Sequence, residues 1–175
     1  MRPHNFLLTG LMLLSTISML SMQSFVADAS NLQVTSSAFS DHAPIPTRFT
    51  CSGADVSPPL SWSDVPDGTK SLALILDDPD APSGTFVHWV VYDVHPTVDG
   101  FKEGEVEGVQ GANSMRKAAY MGPCPPPGSP HHYHFRLFAL DTLLNLEDAP
   151  SAQQLRDAMQ GHIKQSAELV GTFGR

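Results

Sequence analysis

Proline most constrains what this chain can fold into. Fifteen prolines stand largely in clusters: Pro44 and Pro46, Pro58 and Pro59, Pro79 and Pro82, and the run from Pro123 to Pro130. Each removes a backbone donor and fixes φ, so the clusters read as loops between short elements. The segments they separate are Leu32 to Ser36, Ser71 to Leu76, Phe86 to Val94 (FVHWVVYDV) and Tyr133 to Leu140 (YHFRLFAL). The last three are near-continuous apolar runs rich in β-branched and aromatic residues, which suits strands covered on both faces. Short strands between frequent turns predict a mainly β, sandwich-like sheet fold. One helix is expected near the end. Ser151 and Gln154 make a capping-box pattern, and Leu155, Met159 and Ile163 form one apolar stripe, with Gly161 weakening its interior. Such a helix would pack on the sheet.

The first 29 residues read differently. Arg2 and His4 precede an apolar run from Phe6 to Leu20, and Ala27-Asp28-Ala29 offers small residues on either side of one position. That is the pattern of a signal peptide cleaved after Ala29, leaving one domain over residues 30–175. The run is short for a bilayer span, which needs roughly 20 apolar residues, and no later segment is long and apolar enough. Export, to a periplasm or beyond the cell, is therefore expected. The formal net charge is −8. Removing residues 1–29 takes away one base, Arg2, and one acid, Asp28, and leaves it unchanged. An acidic surface argues against nucleic acid and against adsorption to anionic lipid, without excluding one local anion site. Cys51 and Cys124 are the two cysteines. In an oxidising compartment they are expected to pair, two buried thiols being the alternative.

Three segments set polar groups beside apolar strands. Asp77-Asp78-Pro79-Asp80-Ala81-Pro82 follows the strand ending at Leu76, and its prolines stiffen a loop of carboxylates. An ordinary Asp-Pro turn with solvated acids would read the same way. His88 lies inside Phe86 to Val94. A strict period of two puts it on a face with Phe86, Val90 and Tyr92, and puts Trp89 on the other face with Val87 and Val91. A core histidine bonded to a backbone carbonyl is the plainer account. In the third segment, from Gly122 to His134, alternation points His131 and Tyr133 one way and His132 and His134 the other. The Pro-Gly loop there offers the N–H groups of Gly128 and Ser129 as an anion nest. Together these segments supply imidazole, phenol and backbone donors suited to phosphate oxygens, with a carboxylate able to orient a histidine.

These motifs in this order resemble the phosphatidylethanolamine-binding proteins, which include the Raf kinase inhibitor proteins and bacterial relatives. The matching residues are Asp78-Pro79-Asp80-Ala81-Pro82, His88-Trp89, Gly-Pro-x-Pro-Pro-x-Gly from Gly122, and His131-x-Tyr133. Ser57-Pro58-Pro59-Leu60-Ser61-Trp62 and the tail His162 to Gly174 are similar to the bacterial branch. The resemblance implies a central β-sandwich with peripheral helices, including a C-terminal one. It also implies a pocket for phosphate, acetate or phospholipid head groups. Asp78, His88, His131 and Tyr133 would line that pocket, and Pro82 and Gly122 would shape its rim. His132 stands where relatives often carry arginine, on the face turned away.

The leading expectation is a non-catalytic binding module for a small anionic ligand or phospholipid head group, with no cofactor. A protein-interaction module, such as an inhibitor of a protease or of a kinase pathway, is the runner-up. An enzyme using Asp and His as acid–base groups is third, since no Gly-x-Ser-x-Gly or other nucleophile signature is present. Zinc on His and Asp is a rival use of the same residues. The opposed faces of His131 and His134 weigh against it.

Overall fold

The computed structural model describes residues 31–147 and 149–175. The expected signal peptide, residues 1–29, lies outside the described residues. The rest is mainly β, in two antiparallel sheets with one α-helix among the described residues.

The smaller sheet has the order β1-β2-β5, from β1 (Gln33–Thr35), β2 (Leu60–Ser63) and β5 (Gly100–Phe101). The larger has the order β6-β4-β3-β7-β8. Its strands are β3 (Ser71–Asp78), β4 (Phe86–Val94), β6 (Val109–Gln110), β7 (His131–Leu140) and β8 (Ile163–Phe173). Strand β3 is central, and all eight of its residues are buried. Such a strand needs no polar face, which explains why its sequence does not alternate.

The two faces of the larger sheet support separate cores. Leu72, Leu74 and Leu76 of β3 join Trp89, Phe135 and Leu137 and pack against Val34, Leu60, Trp62 and Phe101 of the smaller sheet. Ala73 and Ile75 point the other way. With Val90, Tyr92 and Leu140 they meet Ala152, Leu155 and Met159 of helix α1 (Ala152–Met159). The buried indoles are satisfied, Trp62 by the Val98 carbonyl and Trp89 by the Gln110 side chain.

Helix α1 begins as the sequence predicts. The Ser151 hydroxyl accepts from the Gln154 N–H, and the Gln154 side chain accepts from the Ser151 N–H at 2.9 Å. It ends sooner than the apolar stripe implies. Gly161 adopts φ +79° and turns the chain out of the helix. Ile163 then enters β8 opposite Leu140, instead of adding a helical turn. The helix is thus followed by an edge strand, which runs antiparallel along the whole of β7.

Candidate functional site

The end of β3 is where the two faces of the sheet acquire charge. Asp77 and Asp78 are both buried, and alternation sends them to opposite sides. Asp78 lies on the face toward the smaller sheet, where its Oδ2 accepts from Nδ1 of His131 at 2.8 Å. Its Oδ1 accepts from the N–H of Asp80 at 2.9 Å, which fixes the carboxylate at the start of the β3–β4 loop.

His88 reaches the same face by an irregularity. The β3–β4 register pairs Leu76 with Trp89 but Asp77 with Val87, so His88 is an extra residue, a β-bulge. Strict alternation grouped it with Val90 and Tyr92, and the structure corrects this. Val90 and Tyr92 pack on the helix side, as does Val87. His88 instead meets Tyr133 edge-on at 5.3 Å and Phe86 at 4.9 Å between ring centroids. A bulge re-aims one side chain without disturbing the strand beyond it. Trp89 therefore keeps its place with Val91 in the inter-sheet core.

The structure thus brings Asp78, His88, His131 and Tyr133 together, all less than a tenth exposed. The imidazole Nδ1 of His88 donates to the Met121 carbonyl at 2.9 Å. Burial pushes the His88 pKa down from its ordinary value. The carbonyls of Met121 and Gly122 and the charges of Asp78 and Asp55 oppose that shift. Burial, then the negative charge of Asp78, pushes the Tyr133 hydroxyl up, so the phenol keeps its proton. Asp78 stands near enough to act on that hydroxyl, but no described residue meets it in good hydrogen-bond geometry. Buried polar groups are normally paired, and leaving one unmade costs on the order of 1–3 kcal/mol.

Gly122 shapes the wall behind His88. Its N–H donates to Asp55 at 2.7 Å, and a Cβ there would lie 2.5 Å from the Phe49 carbonyl oxygen. Only glycine allows this approach, which sets the Met121 carbonyl against the imidazole. The adjoining Cys124 is disulfide-bonded to Cys51, as the sequence predicts. His132 and His134 point away, onto Asp80 and Glu168. Pro82 is exposed in the β3–β4 loop, and no hydrogen bond ties it to the cluster. The expected nest is corrected in part, because the Gly128 N–H donates to the Arg175 backbone oxygen at 3.3 Å. Sequence reasoning placed Phe86 beside His88, as found, but missed Asp55, Met121 and Arg175. Each acts through a backbone group or a charge delivered from a distant segment, neither of which has a local signature. Among the described residues, no three His, Cys, Asp or Glu side chains stand together as a metal site.

A cavity of about 830 Å³ lies on the other face, between the sheet and α1. There Arg156 and Arg136 bind the buried Asp77 carboxylate, at 2.6 and 3.3 Å, and Arg136 also binds Glu168. Two cations meet two anions, so this network is a neutral tie between helix and sheet. The unpartnered donor lies on the opposite face, with Tyr133.

The description that matches this chain among family models is "Phosphatidylethanolamine-binding protein", over residues 35–174. A UPF0098 protein of Methanothermobacter thermautotrophicus is 47% identical over 145 residues, covering 79% of this chain and 95% of that protein. A solved structure from Chlamydia trachomatis, described as a phosphatidylethanolamine-binding protein homologue, superposes with a TM-score of 0.80 at 44% identity. It covers 83% of this chain and 98% of its own. Escherichia coli YBCL, described as a member of the mammalian family, gives 0.77 at 31% identity, covering 83% and 99% of the two chains. On these matches and on its fold, the chain belongs to the phosphatidylethanolamine-binding protein family.

Proposed function

We propose that this protein binds a small oxyanion, phosphate or a phosphorylated head group, at the cluster of Asp78, His88, His131 and Tyr133, and performs no chemistry on it. The observation that carries this reading is the Tyr133 hydroxyl: a buried donor, kept protonated beside Asp78, with no partner in good hydrogen-bond geometry among the described residues. An anion oxygen seated there would complete it. Family membership supports a binding role in general, and the family's description supports a phosphorylated ligand.

The histidines make the proposed binding proton-linked. His88 and His131 each commit Nδ1 to an internal acceptor, so Nε2 is the nitrogen left to face a ligand. In a neutral imidazole that nitrogen is an acceptor; in an imidazolium it donates. Binding an anion therefore favours protonation of these rings. The absence of catalysis is supported by the partners of the two imidazoles. One is a carboxylate and the other a carbonyl, and neither ring is hydrogen-bonded to a hydroxyl or thiol that it could activate. Export is part of the same reading, and the Cys51–Cys124 disulfide supports it.

The test is calorimetric titration of the protein with phosphate and with phosphoethanolamine, beside His88→Ala and His131→Ala. The wild type is expected to bind and both variants to lose binding. A folded wild-type protein that binds neither compound would refute the reading and bring a protein partner forward.

A further inference from the structure

The carboxylates around the site raise a problem for any anion. Asp78 and Asp80 act on Tyr133, and Asp78 and Asp55 act on His88. Asp80 is partly offset by its exposed partner His132. With His88 biased by burial toward its neutral form, a ligand would meet a surplus of negative charge unless a permanent cation stood nearby.

One does. Strand β8 pairs Phe173 with His131, and this register carries Arg175 past the His131 end of β7, onto the Pro-Gly loop. Gly174 lies so close to Pro130 that a Cβ would stand 3.1 Å from it. The Arg175 Nε donates to the Pro125 carbonyl at 2.6 Å, and its own backbone oxygen accepts from the Gly128 N–H. The residue is pinned at both its backbone and its side chain, while the two Nη groups are left for a ligand. Its charge reaches the Tyr133 hydroxyl and opposes that of Asp78 and Asp80.

We infer that Arg175 is a ligand-binding residue of this site, a guanidinium anchored on the Pro-Gly loop that engages phosphate oxygens at its rim. This rests on the oxyanion reading and extends it. The fork of a guanidinium matches phosphate geometry and stays charged at every physiological pH. The two kinds of cation then divide the pH range. The histidines strengthen binding in acid, and Arg175 sustains what remains in alkali.

The experiment titrates wild type, Arg175→Gln and Arg175→Lys with inorganic phosphate and with phosphoethanolamine at pH 5.5 and pH 8, with thermal melts of each. Charged hydrogen bonds of this kind predict a loss of about tenfold or more for Arg175→Gln at pH 8, with an unchanged melt. The loss should be smaller at pH 5.5, where imidazolium contributes. Arg175→Lys, which keeps the charge, should fall between the two. Equal binding by wild type and Arg175→Gln at both pH values would overturn the assignment and leave the oxyanion reading standing. If the folded wild type binds neither compound, the oxyanion reading fails and this inference fails with it. Stronger binding of phosphoethanolamine than of phosphate would point to a head group as the source of the ligand.

Discussion

At the scale of single residues, Tyr133 and His88 both sacrifice stability at this site. The Tyr133 hydroxyl is buried with no partner in good hydrogen-bond geometry among the described residues. Tyr133→Phe removes that orphan and keeps the ring packing on His88. It should leave the protein as stable as wild type or more so, by about 1 kcal/mol, while weakening phosphate binding. Chemical denaturation beside titration would show this, and a destabilised Phe variant would argue for a hidden partner. His88 adds a pH dependence. An unfolded histidine titrates near 6.5, and the folded His88 lies lower. Between those two values the unfolded chain holds more protons, so stability falls as the pH drops through that window. His88 is faced by Asp78, Asp55 and Tyr133 and by the carbonyls of Met121 and Gly122. His88→Gln should flatten the acid side of the stability profile below pH 6.5 relative to wild type. Parallel profiles for the two proteins would contradict this.

At the scale of elements, the site depends on two local departures from regularity. One is the bulge at His88, and the other is the close passage of Gly122 over Phe49 and Thr50. Gly122→Ala should cost about 2 kcal/mol or more, because both the Phe49 carbonyl and the Asp55 carboxylate must move. It should also lower the His88 pKa further, since the carbonyls that favour the imidazolium are displaced. An NMR titration of the histidines would show both the direction and the residue. The strands themselves were legible in the sequence. The runs at Ser71, Phe86 and Tyr133 are strands, and the capping box at Ser151 starts the helix. The helix end was misread because Ile163 continues the apolar period, while Gly161 and the pull of pairing with β7 send it into β8. The facing of His88 was misread because a bulge leaves no mark in the residue pattern: Val87, His88 and Trp89 are all ordinary strand residues.

At the scale of the whole molecule, one five-stranded sheet separates two chemistries. Adjacent acids on β3 serve both. Asp77 ties α1 to the sheet through Arg156, and Asp78 orients His131 on the other side. Four of the site residues foreseen from sequence, Asp78, His88, His131 and Tyr133, come together because ladder pairing brings the ends of β3, β4 and β7 side by side. Asp55 and Met121 were invisible because loops far apart in sequence deliver them, and Arg175 because the end of β8 does. The Cys51–Cys124 bridge spans 73 residues and holds two of those loops together. In the chain-entropy model its removal should cost about 4 kcal/mol. Reduction or Cys51→Ser/Cys124→Ser should therefore lower the melting temperature and weaken phosphate binding together. Loss of stability with binding intact would detach the loops from the site.

That an oxyanion binds by engaging the Nε2 side of these imidazoles, and favours their protonated form, can be tested by counting protons. Calorimetric titration with phosphate at pH 7, in two buffers of different ionisation enthalpy, reports how many protons the complex takes up beyond those of the phosphate itself. Net proton uptake by the protein is expected, rising with pH toward the limit where affinity fades. Tight binding with no proton uptake would contradict it.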